Sequence, residues 1–209
     1  RAAQRLALPR RPQPARIRAA EEERSDKAEA ILDAALALFA ERGFAGTPVP
    51  LIAEKARVGA GTIYRYFENK EAIVNKLFQR WKVRLGEELL NGFPFDAPHR
   101  EQFHHFWVRA SDFARNNPLA LRFLELHHHA PYLDSESLAA EARVLEPARL
   151  FLEETARRQI TKPYSPMLLG SIVWGSLMGV FKSVWEGRLP LTAELLSQAE
   201  ECCWEAIRR

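Results

Sequence analysis

The stretch from Thr47 to Glu71, TPVPLIAEKARVGAGTIYRYFENKE, constrains the fold of this chain more than any other. Thr47 is placed to cap a short helix. Pro48 takes its first position, where the missing N–H is harmless, and Pro50 still falls within the first turn. Ile52, Ala53 and Ala56 supply the buried side of that helix. Arg57-Val58-Gly59 makes a tight turn, Ala60 to Tyr66 a second short helix, and Lys70 opens a longer one reaching about Leu90.

The surroundings are helical too. Ala, Leu, Glu and Arg dominate and β-branched runs are scarce, which predicts an all-α protein. With 47% of residues apolar, a substantial core is available. Asp26 and Glu29 have capping-box spacing, so the firm start of the first helix is Ser25-Asp26, although helix propensity is high from Ala15 onward. Ile31, Leu32, Ala35, Leu38 and Phe39 recur at helical spacing, and Gly43 is the expected stop. Gly92, Pro94 and Pro98 mark a linker. Beyond it helices are expected at about 98–116, 118–130, 135–160, 165–186 and 192–207. The expected organisation is a basic arm (1–24), a three-helix helix-turn-helix domain (25–70) and a helical ligand-binding and dimerisation domain (71–209), with residues 71–90 connecting them.

Charge is uneven. The net charge is only +3, yet residues 1–24 hold seven Arg against three Glu. A basic arm on a near-neutral body fits contact with a polyanion, and it fits equally a solvated tail. The two cysteines, Cys202 and Cys203, are adjacent and do not readily bridge, which suggests a reducing, cytoplasmic setting. The arginine-rich N-terminus has no apolar core of the secretory kind. Pro163 to Phe181 carries no charge, but its apolar part is short of the roughly 20 residues a bilayer needs and reads as a buried helix rather than a membrane span.

A helix-turn-helix sets its second helix in the DNA major groove while the first buttresses it. Thr47, Thr62, Tyr64 and Tyr66 offer hydroxyl donors to phosphates. Lys70 lies at a helix N-terminus, where free N–H groups also attract phosphate. Gly61 permits close backbone approach. Arg65 is the best candidate base reader, since arginine pairs bidentately with guanine.

The ordered string Ile31-Leu32-Asp33-Ala34-Ala35, Leu38-Phe39, Gly43-Phe44, Thr47, Ile52-Ala53, Ala56, Val58, Gly61-Thr62-Ile63-Tyr64, Tyr66-Phe67 and Asn69-Lys70-Glu71 resembles the DNA-binding domain of the TetR family of transcriptional regulators. The resemblance covers roughly residues 25–80. It implies a homodimer on palindromic operator DNA, with a C-terminal helical domain that holds a small ligand and releases DNA when occupied. It assigns Thr47, Thr62, Tyr64, Tyr66 and Lys70 to phosphate contacts, and Pro50, Ala60 and Arg65 to base-facing positions. Three residues depart from the pattern. Arg57 stands where the family usually has Gly, at a cost of about 1 kcal/mol if its φ is positive. Pro50 and Ala60 replace polar side chains, so sequence choice rests on Arg65, on DNA shape and on the arm.

In the C-terminal half, Ser171, Gly175 and Gly179 form a small-residue stripe, suited to an intrachain helix contact or to a dimer seam. Leu196, Ala199 and Cys203 on the last helix would complete that seam as a four-helix interface. Phe103, Phe106, Trp107, Phe113, Phe123, Trp174, Met178 and Phe181, with His127, are candidates for the wall of a pocket for an apolar or aromatic ligand, or for plain core. Consecutive positions on a helix are about 100° apart, so His127, His128 and His129 cannot converge on one ion, and no metal or cofactor is expected. No glycine-rich phosphate loop or nucleophile setting appears. An enzyme is therefore the remote alternative, and a DNA-binding scaffold that senses nothing the nearer one.

Overall fold

The computed structural model describes residues 14–127 and 129–209, with side chains from residue 23 onward other than Leu126. Residues 1–13 of the basic arm and His128 lie outside the described residues. The helices are α1 (Pro14–Arg42), α2 (Val49–Ala56), α3 (Ala60–Ile63), α4 (Lys70–Leu90), α5 (His99–Asn116), α6 (Pro118–Leu126), α7 (Ser135–Arg157), α8 (Pro166–Trp185) and α9 (Ala193–Ile207), with a 3₁₀ turn at Ala130–Tyr132. No strand occurs among the described residues. The fold is all-α, as expected.

Local chemistry explains most boundaries. α1 ends at Gly43, whose φ of +69° suits a residue without a Cβ, and the Gly43 N–H bonds the Phe39 carbonyl at 2.9 Å. The Asn69 side chain caps α4 by accepting from Ala72 N at 2.7 Å. Asp134 caps α7 through Ser137 N, and Thr192 caps α9 through Leu195 N.

Several boundaries differ from the sequence reading, α3 among them, which ends at Ile63 rather than Tyr66. α1 begins at Pro14 rather than Ser25, so the capping-box pair Asp26 and Glu29 lies inside a continuous helix. Pro48, not Thr47, is the N-cap residue of α2, and no side chain caps it. α6 stops at Leu126, and the chain then crosses to α7 through the 3₁₀ turn.

The core runs through both halves. Ile31, Leu32, Ala35, Leu38 and Phe39 of α1 are buried against Ile52 and Ala53 of α2, Ile63 of α3, and Ile73 and Leu77 of α4. Each large apolar side chain so removed from water contributes about 1.5–3 kcal/mol. α1 packs on α2 and α6, and α4 packs on α5 and α7. The outer layer is formed by α7, α8 and α9.

α8 is long and apolar enough to cross a membrane by length and composition. Only Leu169, Val173, Leu177 and Phe181, one stripe at four-residue spacing, are buried. The reading of this segment as a fully buried helix is therefore corrected: its other side, with Met167, Leu168 and Ile172, faces out.

Candidate nucleic-acid interface

The helix-turn-helix is built by a strained turn. Arg57 caps α2 in the left-handed region at φ 57°, ψ 40°, which lets Val58 N return to the Ala53 carbonyl at 3.0 Å. Gly59 then leads into α3, and the helical path continues past it through bonds from Arg65 N to Thr62 O and from Tyr66 N to Ile63 O. Ile63 alone of this segment is fully inward, so its neighbours point out.

Pro50, Ala60, Gly61, Tyr64 and Arg65 are exposed, with Tyr64 at 57%. A Cβ at Gly61 would meet no atom within 4 Å, so the space over this residue is open to an approaching partner. Thr62 and Tyr66 are half-buried at the edge of the same surface. Lys70 is half-buried as well. Its Nζ donates to the Phe44 carbonyl at 2.7 Å and lies 3.8 Å from the Phe44 ring centroid. A phosphate here would share the ammonium with Phe44.

Thr47 does not join the surface. It is wholly buried, its hydroxyl donates to the Gly43 carbonyl at 2.8 Å, and its N–H bonds Phe44 O. The assignment of Thr47 as a helix cap and phosphate donor is corrected. The turn at Gly43 brings a free carbonyl beneath the hydroxyl, and that bond uses its proton.

Sequence reasoning passed over two cations. Arg24, assigned to the arm, sits on α1 with its guanidinium carbon 5.9 Å from the Tyr66 ring centroid, beside the recognition segment. Arg57, noted only as a departure, is exposed in the turn itself. The unbroken helical register from Ala15 was the signal for Arg24.

This unit is fastened to the rest of the chain by the segment between α6 and α7. The Phe44 ring stacks on Tyr132 with centroids 3.9 Å apart. His127 Nε2 lies 3.1 Å from the Ala40 carbonyl at the end of α1. Asn75 of α4, 7% exposed, donates to the carbonyls of Glu71 and Tyr132, and its Oδ1 accepts from Asp134 N and the Ser137 hydroxyl. The Asp134 carboxyl is held below its ordinary range by the Ser137 N–H above all. One turn beyond Phe78, Lys82 is buried between Glu125 of α6 at 3.6 Å and Glu141 of α7 at 3.3 Å, while Trp174 of α8 donates to Glu125.

The expected pocket wall is not brought together around a cavity. Phe103, Trp107, Phe123 and Phe181 are buried core. Phe106, Trp174, Met178 and His127 are half-buried against it. Phe103 packs on Trp204, the Trp107 indole donates to the Leu196 carbonyl, and Phe123 stacks on Phe39. Two grooves open elsewhere. One of about 600 Å³ is lined by Trp81, Leu90, Asn91, Phe113 and neighbours, and one of about 390 Å³ lies between α4 and α7. Of the expected residues only Phe113, itself buried, borders one of them, the larger groove. The side chains that would line a void fill it instead.

Of the expected dimer face, Ser171, Gly175 and Gly179 are exposed or open; a Cβ at either glycine would meet nothing. Leu196 and Ala199 are half-buried and Cys203 is buried, packed into the protomer's own core where α9 meets α5 and α8. Burial pushes the Cys203 thiol pKa up, while Cys202 is exposed.

Residues 31–77 match the family described as "Bacterial regulatory proteins, tetR family", and residues 78–209 match "Tetracyclin repressor-like, C-terminal domain". Among curated proteins, the chain is 23% identical over 150 residues to the uncharacterized HTH-type transcriptional regulator YhgD of Bacillus subtilis, covering 71% of this chain and 78% of that one. It is 36% identical over 87 residues to the HTH-type transcriptional repressor Rv3405c of Mycobacterium tuberculosis, covering 42% and 46%. Among solved structures, a regulator from Marinobacter aquaeolei shares the fold with a TM-score of 0.79 at 21% identity, over 90% of this chain and 98% of that one. These matches are to transcriptional regulators, not enzymes.

Proposed function

Because the chain belongs to the TetR family of helix-turn-helix transcriptional regulators, we propose that it is a ligand-responsive repressor which binds palindromic operator DNA as a homodimer. The observation that carries the reading is the single exposed surface made by Ala60, Gly61, Tyr64 and Arg65, with Thr62, Tyr66 and Lys70 at its edge. Arg65 reads a guanine edge. Thr62, Tyr64 and Tyr66 hold phosphates, joined by the ammonium of Lys70 and the α4 N-terminus. Pro50 and Ala60 add apolar contact to thymine methyls.

Two such surfaces dock together only when their separation fits operator half-sites spaced near a multiple of ~34 Å. A small, apolar or aromatic molecule entering among α5–α8 would move α4 and with it α3, shifting the population to a spacing that no longer fits. The packed aromatic core favours a second reading, a DNA-binding protein that senses no ligand.

Four measurements test the reading. Site selection on random duplexes should yield a palindrome. Arg65→Ala should lose about 1–3 kcal/mol at one base pair of each half-site and little elsewhere; a uniform loss would make Arg65 a phosphate contact. Gly175→Glu adds a side chain where the protomer has open space, so a fall from dimer to monomer in light scattering locates the seam, and an unchanged mass removes it from α8. Screening apolar molecules for release of the selected duplex separates sensor from scaffold.

A further inference from the structure

The groove of about 390 Å³ between α4 and α7 is lined by four cations, Lys76, Arg80 and Arg84 of α4 and Arg143 of α7, against one carboxylate, Glu136. The α4 cations fall at i, i+4 and i+8. They form one stripe with about 6 Å between successive positions, where like charges repel across each turn. Arg80 is paired with Glu29 of α1 at 2.6 Å. Lys76, Arg84 and Arg143 make no ion pair with any described carboxylate. Arg84 instead lies over the Trp81 ring, 5.1 Å from its centroid. The groove also presents the exposed Val83 and the buried Ala140, an apolar strip beside the charges. Arg84 borders the larger groove of about 600 Å³ as well; Glu87 and Glu88 also line that groove, so the phosphates belong between α4 and α7 and only an uncharged part of a bound molecule would continue toward Trp81, Leu90 and Phe113.

The geometry points to an anion site: this groove binds a small organic phosphate carrying at least two negative charges, such as a pyrophosphate-bearing nucleotide. Three unpaired cations on two helices, converging on one concave space, are matched by a compact polyanion. A monoanion would leave most of the charge uncompensated. A guanidinium held beside an indole keeps its N–H fork free for bidentate contact with phosphate oxygens. Operator DNA is a poor occupant, because Arg84 lies 14 residues along α4 from Lys70, about 21 Å from the end that faces the duplex in the proposed docking.

Calorimetric titration of the full chain with sodium pyrophosphate and with ADP, in the absence of DNA and at constant ionic strength, tests the site. Saturable binding is expected, weakened at least tenfold in Arg84→Gln/Arg143→Gln and kept within a fewfold in Arg84→Lys, whose charge remains. Arg188→Gln, an exposed arginine away from the groove, should match the parent. The lysine variant and a thermal melt guard against misfolding of the double variant. Equal binding by parent and double variant, equal competition by sulfate, or no saturation at millimolar ligand would overturn the site. So would an unaltered pyrophosphate isotherm accompanied by a lowered salt slope of DNA binding in the double variant, which would assign these arginines to the duplex. Because the readout needs no operator, its failure is distinct from failure of the repressor reading.

Discussion

Arg57 joins backbone strain to a DNA-facing charge in one residue, and the two can be separated. Its φ of 57° and ψ of 40° lie in the left-handed region, where an L-residue is disfavoured by roughly 1–2 kcal/mol. Glycine removes that strain, but it adds freedom to the unfolded chain that offsets roughly 0.5–1 kcal/mol. Arg57→Gly should therefore gain about 0.5–1 kcal/mol. Arg57→Ala keeps the strain and loses only an exposed side chain, so it should stay within about 0.5 kcal/mol of the parent. Urea unfolding followed by circular dichroism, at one protomer concentration for all three proteins, reads this as a midpoint order of Gly above Ala and parent. The DNA arm runs the opposite way. If the guanidinium meets a phosphate, both variants lose one counterion-releasing contact per protomer, and the slope of log K against log salt falls by about 0.9 for each. Gly should thus be the more stable protein and the weaker binder. Equal urea midpoints for Gly and Ala would refute the strain argument, whatever happens to DNA affinity.

The remaining predictions concern the fastening of the DNA-binding unit and its surroundings. Asn75→Ala leaves the Tyr132 carbonyl, the Asp134 N–H and the Ser137 hydroxyl without the amide, and at about 1–3 kcal/mol for each buried polar group left unmet the loss should reach about 3 kcal/mol or more; a urea-measured loss below about 1 kcal/mol would show that the network carries little. His105 has its pKa held below 6.5 by burial first and by Arg109 second. The unfolded chain then binds the proton more tightly, so stability should fall as pH drops through 6.5 toward the folded pKa, and His105→Gln should show a shallower fall between pH 7.5 and 5.5 in the same assay. An identical pH profile would remove His105 from that dependence.

What could be read from the sequence was local. The stop at Gly43, the turn at Arg57 and the span Lys70–Leu90 follow from residues that act within one helical turn, through φ preference, capping and a lost N–H. For Arg57 the motif set only a condition, a cost if its φ is positive, and the structure meets that condition. Thr47 went wrong because its partner, the Gly43 carbonyl, is supplied by the shape of a turn and not by spacing. That Leu196, Ala199 and Cys203 pack on the protomer's own core was not legible for a related reason. α9 is apolar on more than one side, and the choice of which side meets α5 and α8 is made by their surfaces. The aromatic residues of α5, α6 and α8 could not be sorted in advance, since a pocket wall and a packed core use the same side chains and differ only in whether space remains between them.

The fastening itself suggests where a signal would pass. α4 is tied to α7 by the Asn75 amide and to α6 and α7 through Lys82, whereas the end of α1 meets the segment between α6 and α7 through the His127–Ala40 bond and the Phe44–Tyr132 stack, beside the Phe39–Phe123 stack on α6 and the Lys70–Phe44 bond to α4. A stack contributes about 0.5–1.5 kcal/mol and a hydrogen bond about as much. Moving a two-state equilibrium from 1:99 to 99:1 takes about 5.5 kcal/mol. The His127–Ala40 bond and the Phe44–Tyr132 stack are thus weak enough for a bound molecule to exchange, while the Asn75 and Lys82 groups are not. α4 and α7 should move as one body, with the α1 turn slipping against the segment between α6 and α7. Under this view Tyr132→Ala loosens the DNA-binding unit without unseating α4: operator affinity and its response to ligand would change while the urea midpoint drops by only about 1 kcal/mol. A drop as large as that of Asn75→Ala would mean that the stack belongs to the rigid body, and the slip would have to be sought elsewhere.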